Sequence, residues 1–390
     1  MAPLHEIGFS LFLIFTGAAA LATVALYARQ AIIVAYIILG VILGPWGLGL
    51  LSDAQLIADI SHIGIIFLLY LLGLDLIPQE LWKMLGEAMW VTLLSSLVFF
   101  VAGFAIALGF SYPLHEALLI GSIMMFSSTI IGVKLLPTTA LHHRHSGQMI
   151  ISVLLIQDLI AIVILLMLQG YGKNDQLLFD ITRQLLTLPL LILVSWFFNR
   201  YVIVKLISRF DQIHEYIFLL AIAWCLAIAE VAALLGLSYE IGAFIAGITL
   251  ASSPIAPFIT MNLKPLRDFF LVLFFFSLGA GFNMGIISQI ILPAAALAAC
   301  TLVLKPFVFE KLFVKANEKR SISREVGYRL GTISEFSLLV AVMAAQTNFI
   351  EQNTSYMIQL ATLITFVISS GIVVMNFRTP IAVSDRLRRD

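Results

Sequence analysis

Long apolar runs, each close to the length of a bilayer crossing, alternate along this chain with short polar punctuation. A crossing helix needs about 20 apolar residues. Reading the runs between loops predicts helices near 7–27, 31–50, 56–76, 87–109, 113–135, 147–169, 180–203, 213–235, 238–252, 266–284, 287–313, 323–346 and 355–376. No long polar stretch separates any two of them, so no large domain outside the bilayer is expected within these residues. The expected fold class is an all-α polytopic membrane protein with about 13 transmembrane helices.

The loop charges test that count, because Lys and Arg collect on the cytoplasmic side. With thirteen spans, one set of alternate loops and the tail holds Arg29, Lys83, Lys134, Arg144, Arg200, Lys205, Arg209, Lys264, Arg267, Lys311, Lys315, Lys319, Arg320, Arg324, Arg378, Arg386, Arg388 and Arg389. The opposite set holds Lys173 and Arg183, and Lys305 and Arg329 fall within spans. One missed span would swap the sides of everything downstream, so eighteen against two supports the count. The N-terminus is expected outside and the C-terminus inside.

Two runs are interrupted where they should be uniformly apolar. Span five carries MMFSSTIIG (124–132), and span twelve, in the equivalent place of the second half, carries RLGTISEFS (329–337). Hydroxyl and glycine residues there suit broken helices that expose backbone groups to a cavity. An odd number of spans with one such break in each half predicts two inverted six-helix repeats joined by a linker span near 180–203.

Composition agrees. Hydrophobic residues make up 61% of 390 positions and charged residues 11%, against about half and a quarter in soluble domains. The net charge is zero and basic residues are scattered, so nucleic-acid binding has no electrostatic footprint. Cys225 and Cys300 sit inside apolar runs and read as buried small hydrophobes. The start MAPLHEIGF has an acidic residue and no basic cluster, which predicts a retained first span rather than a cleaved signal.

The chemistry concentrates in a few polar positions. Asp158, in VLLIQDLIAIVILL, is flanked by apolar residues for about two turns on either side and is too short to reach the interface. A charge at such a depth costs at least about 2.5–3.5 kcal/mol, and intramembrane carboxylates usually handle ions or protons. A lone carboxylate can hold a proton or a monovalent cation in turn, which predicts one-for-one, electroneutral exchange. Gln157 beside it adds an amide oxygen but no titratable group. Ser127, Ser128 and Thr129 supply hydroxyl and freed carbonyl oxygens, hard ligands for an alkali cation, unless they bond back to their own helix. No metal is expected beyond the transported cation, and no cofactor.

Lys305, in TLVLKPFVF, is a buried cation before a helix-disturbing proline, expected to pair with Asp158 or to cap carbonyls of a broken helix. Glu335 and Arg329 flank the second break, Glu335 facing the crossing. Glu230 and Glu240 read as structural carboxyls. His142, His143 and His145 form HHRH in a loop read as solvated, without carboxylate or thiol nearby in sequence to make a metal site. Gly40, Gly44 and Gly47 have the small-residue spacing of close helix packing.

Together the segments AYIILGVILGPWGLGLLSDAQ (35–55), FLLYLLGLDLIPQELWKM (67–84), FSSTIIG (126–132), LLIQDLIAI (154–162), LGLSYEIGAFIAGITLASSP (235–254), FFFSLGAGFNM (274–284), LKPF (304–307) and LGTISEFSLLVA (330–341) resemble the monovalent cation:proton antiporter-2 family, in its KefB/KefC branch of potassium:proton antiporters. Eight weak matches in order span essentially the whole chain. The resemblance implies the NhaA/NapA-like antiporter fold with spans five and twelve crossed and broken, elevator-like alternating access, and a homodimer in a bacterial inner membrane, in contact with lipid. It implies first-repeat dimerisation helices over about 1–78 and a first core helix up to 110. Core helices with broken span five and ion-site span six follow at 111–170, and a linker helix at 171–210. Dimerisation helices at 211–285 and core helices at 286–378 complete the second repeat, before a cytosolic basic tail at 379–390. Asp158 takes the place of the ion-binding carboxylate, and Gln157 that of the glutamine of the potassium branch, where electrogenic sodium relatives have a second aspartate. Lys305 takes the place of the core lysine and Glu335 that of the acidic residue of the second break, the two forming core support or a salt bridge. Two features depart from the family pattern. Thr332 and Ile333 stand where a Gly-Gln-Gly/Ser stretch is usual, and the chain stops at SDRLRRD where branch members continue into a cytosolic nucleotide-binding regulatory domain.

Three further readings compete. A ligand-gated potassium efflux pore would line a filter with Gln157 and the hydroxyls and need no titratable group. A sodium/proton antiporter of the same fold differs only in the ion. An intramembrane enzyme is disfavoured by the lack of HExxH, of paired aspartates, and of a general base beside Ser128, Asp158 or Lys305.

Overall fold

The structure is a computed structural model and describes residues 2–28, 30–51, 54–75, 78–129, 132, 145–170, 177–210, 212–253, 255–377 and 379. Side chains at 2–7, 54–61, 72, 75, 78–88, 145–148, 162, 166, 169–170, 177–186, 257 and 264 are likewise outside the description. Arg29, Lys134, His142, His143, Arg144, Lys173 and the tail from Arg378 to Arg389, apart from residue 379, lie outside the described residues, as do the side chains of Lys83, His145, Arg183 and Lys264.

The described elements are helical: α1 Ala2–Tyr27, α2 Ile32–Leu43, α3 Ala54–Asp75, α4 Pro78–Gly109, α5 Leu114–Met124, α6 His145–Gly170 and α7 Leu177–Phe198, which runs through a π-helical turn, Asn199–Ile203, into α8 Val204–Arg209. There follow α9 His214–Leu234, α10 Tyr239–Ala251, α11 Ala256–Ala280, α12 Ile287–Lys315, α13 Arg320–Arg329, α14 Glu335–Gln346 and α15 Gln352–Asn376. Six of the described stretches are long and apolar enough to cross a membrane: Gly8–Tyr27, Met89–Gly109, Thr187–Arg209, His214–Leu234, Met284–Lys315 and Gln352–Asn376. Two helices start earlier than their apolar runs. Helix α4 begins at Pro78 rather than near 87, and α11 at Ala256 rather than near 266. Polar first turns such as ITMNLKPLRD continue a helix beyond its apolar stretch, where hydropathy gives no signal.

Local chemistry sets the ends. Helix α9 stops because Gly236 adopts φ +83°, and the N–H groups of Gly236 and Leu237 return to the carbonyls of Ala233 and Ala232 at 2.9 Å each. Two residues on, Ser238 caps α10 by accepting from Ile241 N at 3.3 Å. The π-helical turn begins at Asn199, whose Nδ2 donates to the Thr249 carbonyl at 2.6 Å.

The chain divides into two compact units. One comprises residues 1–15, 40–83 and 169–281, the other 16–39, 84–168 and 282–390. Backbones come unusually close in the first. A Cβ on Gly247 of α10 would lie 2.2 Å from the Tyr70 carbonyl of α3, and one on Gly73 of α3 would lie 2.5 Å from the Phe244 carbonyl. Gly40 and Gly44 do the same against α11, where a Cβ would meet Phe276 O at 2.0 Å and Ala280 Cα at 2.7 Å. Gly47 instead faces the carbonyls of its own Val41 and Ile42. Glu240 pairs with His62 Nε2 at 3.0 Å, and the exposed Glu230 accepts from Tyr239 OH at 3.1 Å. Cys225 is buried and Cys300 half-buried, both as free thiols.

Candidate functional site

The second unit contains both interrupted helices. Helix α5 tightens at its end, with Met125 N donating to Ser122 O at 3.1 Å and Phe126 N to Ile123 O at 3.3 Å, and the chain then leaves helical geometry through Phe126–Ser128. Helix α13 ends at Arg329, whose buried guanidinium pairs with Glu325 one turn earlier at 2.9 Å and complements the negative end of the helix. After Leu330–Ile333 the chain resumes as α14, capped by Ser334, which accepts from Phe336 N at 3.0 Å. Each break frees donors and acceptors that in lipid must find partners inside the protein.

One lysine and a few side chains provide them. Lys305, fully buried on α12, donates through Nζ to the Phe126 carbonyl at 2.6 Å and to the Thr332 carbonyl at 2.7 Å. It also reaches Ser127 Oγ at 3.4 Å, and the Phe99 ring lies 5.3 Å below the ammonium. The C-terminal ends of α5 and α13, both negative by their helix dipoles, thus share one cation. The freed N–H groups of the first break turn to side chains: Ser127 N donates to Gln157 Oε1 at 2.9 Å and Ser128 N to Thr332 Oγ1 at 3.2 Å. Thr129 Oγ1 closes on Glu335 Oε1 at the start of α14, and Ser337 Oγ donates back to Ile123 O at 3.1 Å. Ile333 N finds Thr365 Oγ1 on α15 at 3.3 Å.

Of the sequence-predicted positions, Gln157, Ser127, Ser128, Thr129, Lys305 and Glu335 meet at this crossing. Asp158 adjoins Gln157 on α6 and is only 3% exposed. Lys305 and Glu335 do not bond to each other. The lysine spends its hydrogens on carbonyls and the glutamate takes the Thr129 hydroxyl, so of the two roles open to Lys305 the crossing realises carbonyl capping. Thr332, Ser337 and Thr365 are partners outside the set of sequence-predicted site residues. Thr332, where the sequence departs from the pattern it otherwise resembles, accepts from the first break through its hydroxyl and from Lys305 through its carbonyl.

In the same unit a second carboxylate joins distant segments. Buried Glu116, in the first turn of α5, accepts from Glu351 N at 2.8 Å and from Thr354 Oγ1 at 2.5 Å. A carboxylate at the start of α15 opposes the positive end of that helix.

Comparison with known proteins agrees with this architecture. The family described as "Sodium/hydrogen exchanger, transmembrane" matches residues 11–378. The iron transporter MagA of Paramagnetospirillum magneticum is 26% identical over 345 residues, covering 87% of this chain and 79% of that protein. The K(+) efflux antiporter 5 of Arabidopsis thaliana is 30% identical over 346 residues, 85% of this chain but 60% of its own length. The sodium proton antiporter MjNhaP1 of Methanocaldococcus jannaschii, solved at pH 8, superimposes with a TM-score of 0.72 over 95% of this chain and 96% of its own, at 16% identity, which establishes a shared fold.

Proposed function

The chain belongs to the sodium/hydrogen exchanger family of multi-pass membrane transporters, and from that premise we propose that it exchanges K+ for H+, one for one, at Asp158. The observation that carries the reading is the burial of Asp158 beside Gln157, whose amide oxygen pins the first helix break. A carboxylate kept from water next to opened backbone can hold a proton or a dehydrated alkali ion, but not both at full strength. Ser127, Ser128 and Thr129, at the first break, would supply further hard oxygens. Potassium is favoured by the resemblance of the Gln157–Asp158 pair to the potassium branch and by the 30% identity to a protein named as a K+ efflux antiporter. Na+ is the nearest alternative.

Elevator-like movement is supported by the way the breaks are stitched. Lys305, Thr332 and Glu335 bind both of them, so parting the crossing to admit an ion would sacrifice several buried bonds at once, whereas moving it whole sacrifices none. We further propose, on the family resemblance, a homodimer in a bacterial inner membrane and, on the loop-charge bias, an N-terminus outside. Any nucleotide-binding regulatory domain would lie outside these residues.

Reconstitution with a pH dye tests the exchange. K+, Na+, Rb+ and Fe2+ gradients are compared with and without valinomycin and a protonophore. K+-driven proton movement insensitive to membrane potential is expected, and Asp158→Asn should abolish it, by more than about 100-fold, since the variant removes the only charge assigned to exchange. A channel-like pore would keep its cation flux in Asp158→Asn, and that result would sink the antiport reading.

A further inference from the structure

We infer that Glu335 is a direct ligand of the transported cation through Oε2, an assignment that rests on the exchange reading above and adds a second anionic oxygen to Asp158. Among the described residues of the crossing, two buried side-chain atoms have no hydrogen-bond partner, Gln157 Nε2 and Glu335 Oε2. One is a donor and the other an acceptor, so they call for different occupants.

The orientation of Gln157 follows from chemistry. Ser127 N–H can only donate, so the amide atom it meets at 2.9 Å is the oxygen. That oxygen is engaged, and the unpartnered atom is an N–H group that repels a cation. Gln157 therefore acts as a pin for the first break, and the bare acceptor offered to an ion lies elsewhere.

Glu335 Oε2 has that character. Its sister oxygen Oε1 takes the Thr129 hydroxyl, which fixes the carboxylate at the first residue of α14. Because the hydroxyl hydrogen points at the carboxylate, lone pairs on Thr129 Oγ1 remain beside it, and two hard oxygens stand together. Lys305 does not compensate this group, since its ammonium is directed at Phe126 O, Thr332 O and Ser127 Oγ. Among the described residues no basic side chain forms an ion pair with Glu335. A buried carboxylate oxygen with no donor is expensive to leave empty. A monovalent cation shedding part of its water satisfies it and brings the missing charge.

The test is the K+ dependence of proton exchange in proteoliposomes containing wild type, Glu335→Gln or Asp158→Asn, each first checked as a single symmetric peak in detergent. Glu335→Gln keeps an oxygen for Thr129 but removes the charge. Its apparent KM for K+ should rise about tenfold, equivalent to about 1.4 kcal/mol of binding, with loss of K+-dependent protection against heat in the purified protein. A rise below about fivefold overturns the assignment, because removing a directly bound anionic ligand must weaken cation affinity. Should Glu335→Gln not be recovered folded, Glu335→Asp, which withdraws the oxygen by one methylene, is held to the same threshold. Asp158→Asn separates the two claims. If it retains exchange, the exchange reading fails, whereas if it is inactive while Glu335→Gln keeps its K+ affinity, only the present inference fails.

Discussion

The tightest contacts of the two units differ in kind. In the first, α3 meets α10 through Gly73 and Gly247, and the end of α2 meets α11 through Gly40 and Gly44, backbone against backbone with no room for even a methyl group. In the second, the breaks in α5–α6 and α13–α14 are filled with Lys305, Gln157, Thr332 and Glu335, which bind by directed hydrogen bonds. A steric seam resists any change of shape and offers nothing to a solute. A polar crossing keeps its shape only while every donor has an acceptor, and it can exchange one partner for another.

Substitutions break this contrast in graded steps. The largest effect is expected from Gly247→Leu, whose first side-chain carbon would fall 2.2 Å from the Tyr70 carbonyl. Backbone atoms cannot yield like a flexible side chain, and size-exclusion profiles in detergent should show no monodisperse protein. Gly371→Leu in the other unit, with nothing within 4 Å of a Cβ, should elute as wild type. Next in size is Lys305→Met, which keeps the stem but strips two buried carbonyls of their donor. At about 1–3 kcal/mol for each unsatisfied group, a loss of about 2–6 kcal/mol is expected in thermal unfolding, and Lys305→Gln, with an amide donor, should recover part of it. The smallest is Thr332→Val, which deletes one acceptor, that of Ser128 N. Hydrogen bonds between membrane helices average about 0.6 kcal/mol and reach about 1.7. A loss in that range, restored by Thr332→Ser, is expected in the same melts. A Thr332→Val penalty as large as that of Lys305→Met would mean the crossing is less evenly shared than its bonds suggest.

Much of this was legible in the chain because lipid enforces simple rules. Apolar runs marked the helices, and hydroxyl clusters inside MMFSSTIIG and RLGTISEFS marked the breaks, since irregular backbone in a membrane needs local polar company. Asp158 stood out as a short carboxylate too deep to reach water. What stayed hidden was pairing. Nothing local in TLVLKPFVF distinguishes a lysine that seeks a carboxylate from one that caps two carbonyls, because its partners lie 179 and 27 residues away. Thr332 and Thr365 were equally silent, their roles depending on which backbone N–H groups the breaks turn toward them. The starts of α4 and α11 were missed because a helix can outlast its apolar stretch, and only its hydrogen bonds then show where it begins.

The separation between Phe126 and Lys305 also bears on how the protein is made. Ribosomes add about 5–20 residues per second, so the 179 residues between them take about 9–36 s to synthesise at those rates. Throughout that interval the first break exists without the ammonium that will neutralise it. Glu335, which closes on Thr129, arrives later still. The half-finished crossing must therefore be sheltered by water or by the insertion machinery until α12 is delivered. Assembly is thus the stage at which a defect in this lysine would first be felt, before any ion has been carried.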